Sequence, residues 1–154
     1  KDCDMNNGKM ELVFVPENEL CAACKLVREL AKADAKQTRA AAKPLQGTII
    51  RNTHFHHDVN ITGASIREWT NQPHKHFKAK NQMLLDINNV FSNAAYLGTT
   101  DNHKGIKRVV QSHIFEVEVS GEKNLLIVRE YDWGEYVLHS ISDSPELYNK
   151  IKKE

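Results

Sequence analysis

Gln111-Ser112-His113-Ile114-Phe115-Glu116-Val117-Glu118-Val119, then Ser120-Gly121-Glu122-Lys123, then Asn124-Leu125-Leu126-Ile127-Val128-Arg129-Glu130, is the stretch that decides the fold. Polar and apolar residues alternate through much of the first run, the second is a short apolar run, and the residues between them carry a hairpin turn signal. A second turn, Asp132-Trp133-Gly134, leads into Glu135 to Ser142, so three strands follow one another as an antiparallel meander.

Upstream of the meander, Thr99 to Arg108 reads as a polar loop containing Asp101-Asn102 and Gly105. His74 to about Ala95 predicts one long helix behind Pro73, because at 100° per residue Phe77, Met83, Leu84, Ile87, Val90, Phe91 and Ala94 form one stripe. Lys80 falls near the middle of that stripe and His76 lies one turn before it, whereas His74, Lys75 and Lys78 lean elsewhere. Two readings of Lys80 are open: it snorkels past the helix end into water, or it projects with His76 into a cleft at the helix and sheet interface.

Further toward the N-terminus, Thr62-Gly63-Ala64-Ser65 offers a cap for a short helix around Ile66 to Thr70. Gly47 to Ile61 mixes β-branched residues with histidines, Glu17 to Ala42 reads as a helix ended by Pro44, and Glu11 to Val15 as a short strand stopped by Pro16. The expected class is α+β, with helices packed on a C-terminal antiparallel meander of about four strands. Residues 1–50 read as a strand-helix segment that can act as a connector, and residues 51–154 as the compact domain.

With 154 residues, 40% hydrophobic and 27% charged, the chain can bury a sizeable core. A net charge of +1 gives no bulk attraction to nucleic acid, so binding it would need a local patch such as Arg67 to Lys80. No apolar run approaches the roughly 20 residues of a membrane span, and no signal peptide opens the chain, so a soluble protein is expected. A start at Lys1 rather than Met suggests a mature product or a piece of a longer polypeptide. Cys3, Cys21 and Cys24 are odd in number, and two cysteines three apart on a helix are poorly placed for a relaxed disulfide, so free or buried thiols are expected.

Thr53-His54-Phe55-His56-His57-Asp58 nearly matches the metal run of metallo-β-lactamase-like hydrolases, but Val59 stands where the last histidine should be. His54 and His56, on one face of a strand, would still need a third ligand, so no metal or other cofactor is expected. Trp69, Phe77, Tyr131 and Trp133 are candidate stacking platforms. Trp133 differs from the rest because an indole at a hairpin tip is exposed.

Gln72-Pro73-His74-Lys75-His76-Phe77-Lys78-Ala79-Lys80-Asn81, Ser112-His113-Ile114-Phe115-Glu116 and His139-Ser140-Ile141-Ser142-Asp143, with Asn60-Ile61-Thr62-Gly63 and Tyr96-Leu97-Gly98, occur in a fixed order. From about residue 58 to 143 they resemble a phage- and mobile-element-borne nuclease domain of the barnase, EndoU, colicin and RelE-like group. That resemblance implies helices on one side of an antiparallel sheet and metal-independent cleavage of RNA by 2′-OH transphosphorylation. His74, His76, Lys80, His113 and Ser140 match polar positions of that group and are the expected catalytic residues, and Arg129, His139 and Lys78 are candidate substrate contacts.

The chemistry suits these residue types, since one imidazole can take a proton and another give one while a cation balances the phosphoryl oxygens. The implied setting is a monomeric toxin or effector domain, delivered to a target cell's cytoplasm within a larger phage-associated or secreted protein and countered by an acidic immunity or antitoxin protein. A non-catalytic module binding RNA or protein is the alternative, and a metal-dependent hydrolase built on His54 and His56 the remaining one. Strand parity leaves one tension: His113 shares a face with Phe115, Val117 and Val119, while Ser140 sides with Tyr136 and Leu138, and His139 with Val137 and Ile141. Glu116 and Glu118 read as a solvated face, with Glu116 as an alternative base.

Overall fold

A computed structural model describes residues 22–71, 75–102 and 104–152. The strand expected at residues 11–15, together with His74, Cys3 and Cys21, lies outside the described residues. In chain order the elements are α1 (Ala22–Ala42), β1 (Ile49–Asn52), β2 (Phe55–Asn60), α2 (Gly63–Asn71), α3 (Phe77–Leu85) and α4 (Ile87–Asn93). They continue with β3 (Ala95–Asp101), β4 (Val109–Val119), β5 (Glu122–Tyr131), β6 (Tyr136–Ser142) and α5 (Pro145–Asn149).

The expected meander is present as β4, β5 and β6, antiparallel throughout. Around it the sheet has six strands rather than four, in the order β1-β2-β6-β5-β4-β3. It is mixed, because β2 runs parallel to β6 at Val59 and Asn60. The added strands were hidden by their residues: β2 carries three consecutive exposed polar positions, His56, His57 and Asp58, and β3 occupies the start of what read as a polar loop.

The helix expected from His74 to Ala95 is two helices. Asp86 adopts φ −113° and ψ 26° between them, in a run of Asp and Asn whose side chains compete with helical hydrogen bonding. His76 precedes α3 with a left-handed φ of 57° rather than sitting one turn inside a helix. The apolar stripe nevertheless packs as expected, with Leu84, Ile87, Phe91 and Ala94 buried. They meet Phe55 and Val59 from β2 and Phe115, Leu126, Val128, Leu138 and Ile141 from the meander. Thr62 and Ser65 cap α2 reciprocally, each side chain accepting from the other's backbone N–H at 3.0–3.1 Å. Asn52 closes the end of α4 by donating to the carbonyls of Phe91 and Ala94.

α1 belongs to the same helical layer, with Arg39 bonded to Thr70 and Asn71 on α2 and Asp34 accepting from Asn81 on α3. Cys24 on α1 is disulfide-bonded, against the expectation of free or buried thiols, and its partner lies outside the described residues. No described helix is long and apolar enough to cross a membrane.

The opposite face of the sheet is covered in part by the C-terminal segment. Tyr148 on α5 donates to Glu116, so Glu116 is half-buried rather than part of a solvated face, and burial beside that carboxylate pushes the Tyr148 hydroxyl up to about 12. Lys152 pairs with Thr99 through bonds of 3.1 and 2.7 Å. Gly98 permits this crossing: its φ is 136°, and a Cβ there would collide with the Lys152 carbonyl. Gly98→Ala is therefore expected to cost about 1–3 kcal/mol in urea unfolding. A change inside ±0.5 kcal/mol would show that the C-terminal segment is not held there.

Candidate functional site

Alternation along β4 and β5 puts His113, Gln111 and Glu130 on the helix-facing side, at the end where the helices no longer cover the sheet. Glu130 Oε1 accepts from His113 Nε2 at 2.7 Å and from Gln111 at 3.0 Å. Because the carboxylate is the acceptor, Nε2 carries a hydrogen, and the Tyr96 hydroxyl holds the other ring nitrogen, Nδ1, at 2.9 Å. Phe55 and Tyr136 close over the histidine with ring centroids 4.8 and 5.5 Å away, leaving it 5% exposed. His57 stacks on Tyr136 at 4.3 Å and 22° and is exposed.

Both bonds to Glu130 end on Oε1, and Oε2 has no hydrogen bond among the described residues. Burial alone would raise this carboxyl, but hydrogen bonds from Gln111 and His113, with the charge of His113 and His57, outweigh it and hold Glu130 below the usual carboxylate range. Burial and the Glu130 charge raise the Tyr136 hydroxyl. The arrangement is an ionised carboxylate held from behind by an oriented imidazole, with a second imidazole close enough to be felt electrostatically.

A second cluster gathers at the other end of β5. His76 Nε2 lies 2.9 Å from Glu122. Lys80 is 1% exposed, its ammonium 3.7 Å from Asp143, too far for a hydrogen bond, and its Nζ has no hydrogen-bond partner among the described residues. Burial drives its pKa down, and Asp143 only partly opposes this. Lys80 thus reaches neither bulk water, as snorkelling required, nor the His113 group. Asp143 follows Ser142, the partner of Leu125, and from Asn124 to Glu130 at about 3.3 Å per residue is about 20 Å.

On the other side of the sheet, Ser65 and Glu68 of α2 with Arg129, Tyr131, Trp133 and His139 line a cleft of about 370 Å³. Burial, with Arg129 and Lys104 nearby, pushes His139 down to about 4. The Arg129 side chain makes no hydrogen bond or ion pair among the described residues. Glu135 lines this cleft and also a second depression with His57 and Tyr136, so the β5–β6 turn is a ridge between the two.

The residues expected to act together are therefore distributed. His76 and Lys80 sit at one end of β5, His113 toward the other, and Ser140 on the opposite face beside Ile127. The parity expected for Ser140 and His139 fails because a bulge breaks the register: Val128 pairs with Leu138 and Ile127 with Ser140, leaving His139 as the extra residue. Leu138 and Ile141 consequently both face the core. Arg129 and His139 do share a cleft, while Lys78 is exposed on α3. Glu130, Tyr96, Tyr136 and His57 were missed, although a glutamate in phase with Leu126 and Val128 was a legible signal. His54 lies in the turn between β1 and β2 rather than on a strand face with His56, and no group of three or more metal-ligating side chains occurs among the described residues.

The model of a family described as large polyvalent protein-associated domain 3 matches residues 29–147, well over half of the chain and across the boundary expected at residue 50. Its description fits the expected mobile-element or phage context and names no nuclease. No curated protein and no solved structure matches.

Two measurements probe the buried ionisable groups. Replacing a buried charge that lacks hydrogen bonds by an apolar chain of similar length removes a desolvation cost, so Lys80→Met is expected to raise stability by roughly 1–3 kcal/mol at pH 7. A loss of that size would instead assign Lys80 a structural role. His139 is depressed from 6.5 to about 4, so between those values the unfolded chain binds a proton that the folded one refuses, and stability falls as pH falls through the window. His139→Gln should flatten the slope of unfolding free energy there, and an unchanged slope would remove His139 as its source.

Proposed function

We propose that this chain, which belongs to the large polyvalent protein-associated domain 3 family, is a metal-independent endoribonuclease domain that cleaves RNA by 2′-OH transphosphorylation. The observation that carries the reading is the Glu130 carboxylate with one oxygen held by His113 and Gln111 and the other available, beside the exposed His57. Glu130 takes the proton of the 2′-OH, the oxygen attacks phosphorus, and His57 protonates the departing 5′-oxygen, leaving a 2′,3′-cyclic phosphate. His113 is a positioning residue, fixed by Tyr96 on one side and presenting N–H to Glu130 on the other. The Tyr136 hydroxyl and the His57 imidazolium supply hydrogen bonds and charge at the phosphoryl oxygens.

Helices against one face of an antiparallel meander also support reading the fold as a variant of the barnase and RelE-like arrangement, extended by β1 and β2. We read the domain as a toxin or effector part of a polyvalent protein, with an immunity or antitoxin protein covering the site. His76, Lys80 and Ser140 are left without a catalytic part in this scheme. A second reading, a non-catalytic binding module, is favoured by one observation: both nitrogens of His113 are satisfied internally, as in a structural histidine.

Incubation with total RNA in EDTA separates the two. Cleavage is expected to persist in EDTA, and Glu130→Gln, which keeps an acceptor for His113, is expected to lower it by about 10²–10⁴-fold with little change in Tm. His57→Ala should act similarly. No cleavage by the wild-type chain, or full activity in Glu130→Gln, would leave the binding module.

A further inference from the structure

We propose that the β5–β6 turn and its adjoining cleft form a base-stacking subsite for single-stranded RNA, an inference that rests on the ribonuclease reading and extends it to how the strand is held. Trp133 at the tip of the turn is 54% exposed although a hydrogen bond at its edge and one neighbouring ring hold it in place, an unusual position for an indole. Tyr131 stacks on it at 4.6 Å and 26°, and the Arg108 guanidinium lies over it at 5.2 Å from the ring centroid. The guanidinium is held there by Asp132, whose carboxylate accepts from Arg108 Nε at 3.1 Å, and both indole and guanidinium planes stack on nucleobases whatever their identity.

Beside this platform lies the cleft of about 370 Å³, a size suited to a base rather than a helix. Its charges divide the ligand. Glu68 and Glu135 inside the cleft oppose a phosphate, so a base rather than the backbone is the part of the strand that fits it. Arg129 and the neutral His139 add polar groups on the wall. Exposed Lys104, Lys107 and Arg108 belong to the loop before β4, with Lys104 near enough to His139 to lower it, and these meet the sugar-phosphate backbone.

The ridge connects this subsite to the reacting groups. Glu135 accepts from Trp133 Nε1 on one side and from Asn60 on the other, both at 3.0 Å, and lines both depressions. A strand stacked at Trp133 therefore crosses the turn into the depression containing His57 and Tyr136.

The chain has two tryptophans, and Trp69 is fully buried, so quenching of the exposed indole reports Trp133. The probe is a 2′-O-methyl single-stranded oligonucleotide, which binds without being cleaved. It is expected to quench tryptophan emission in the full chain. Trp133→Ala, with a thermal melt as folding control, should abolish that quenching and weaken binding by about 10-fold in anisotropy. Arg129→Ala and Arg108→Ala should weaken it less, and RNA cleavage by Trp133→Ala should show a raised KM with kcat retained. Binding that is equal in Trp133→Ala and wild type, or no binding at all, would overturn the subsite. Binding through Trp133 without any RNA cleavage would keep the subsite and sink the catalytic reading. Cleavage with KM unchanged in Trp133→Ala would do the reverse.

Discussion

The two-residue turn at Ser120 and Gly121 is the constraint on which the rest depends. Both residues have positive φ, 50° and 79°, the type I′ geometry whose twist suits paired strands. It sets Val119 against Glu122 and, through that register, Gln111 against Glu130 and His113 against Val128. A slip of one residue would carry every side chain of one strand to the other face. Phe115 would then leave Leu126, and Glu130 would leave His113, so one turn specifies the apolar core and the carboxylate and imidazole pair together.

What the sequence made legible follows from which signals are local. Alternation from Gln111 to Val119 and the Ser-Gly turn are contained within single segments, and β4, β5 and β6 are found there. The stripe from Leu84 to Ala94 identifies the buried face even though Asp86 divides the helix, because the packing period continues across the break. β2 was obscured by its histidines, which are exposed and precede the short parallel pairing with β6 at Val59 and Asn60. The bulge at His139 has no sequence signal, and it alone reverses the face of Ser140 relative to Leu138. The expected catalytic set mixed residues that share a chain order but not a sheet face or a sheet end.

Lys80 shows how a correct local observation misleads about location. Its place on the apolar stripe is real, since it is buried, and Trp69 donates to its backbone carbonyl at 3.0 Å, pinning α3 against α2. A buried ammonium with Asp143 at 3.7 Å lacks the close contacts that offset desolvation, and Asn124 Oδ1 is also buried without a hydrogen-bond partner among the described residues. The anomaly is one of energetics at the Glu122 and Asp143 end of the sheet, whereas the His113 and Glu130 pair lies where β4 begins and β5 ends.

At that second end the core changes character rather than stopping. Phe91 and Phe115 pack edge to face in its middle, Phe55 then packs on Phe115, and beyond Phe55 the rings become Tyr96, Tyr136, His113 and His57. These keep the aromatic packing of the interior while adding hydroxyl and imidazole groups at its rim. The two hydrogen bonds to Oε1, with the nearby imidazoles, prevail over the burial that by itself raises the Glu130 carboxyl. An oriented carboxylate and an exposed imidazole arise here because the hydrophobic core is finished with rings that are apolar on their faces and polar at their edges.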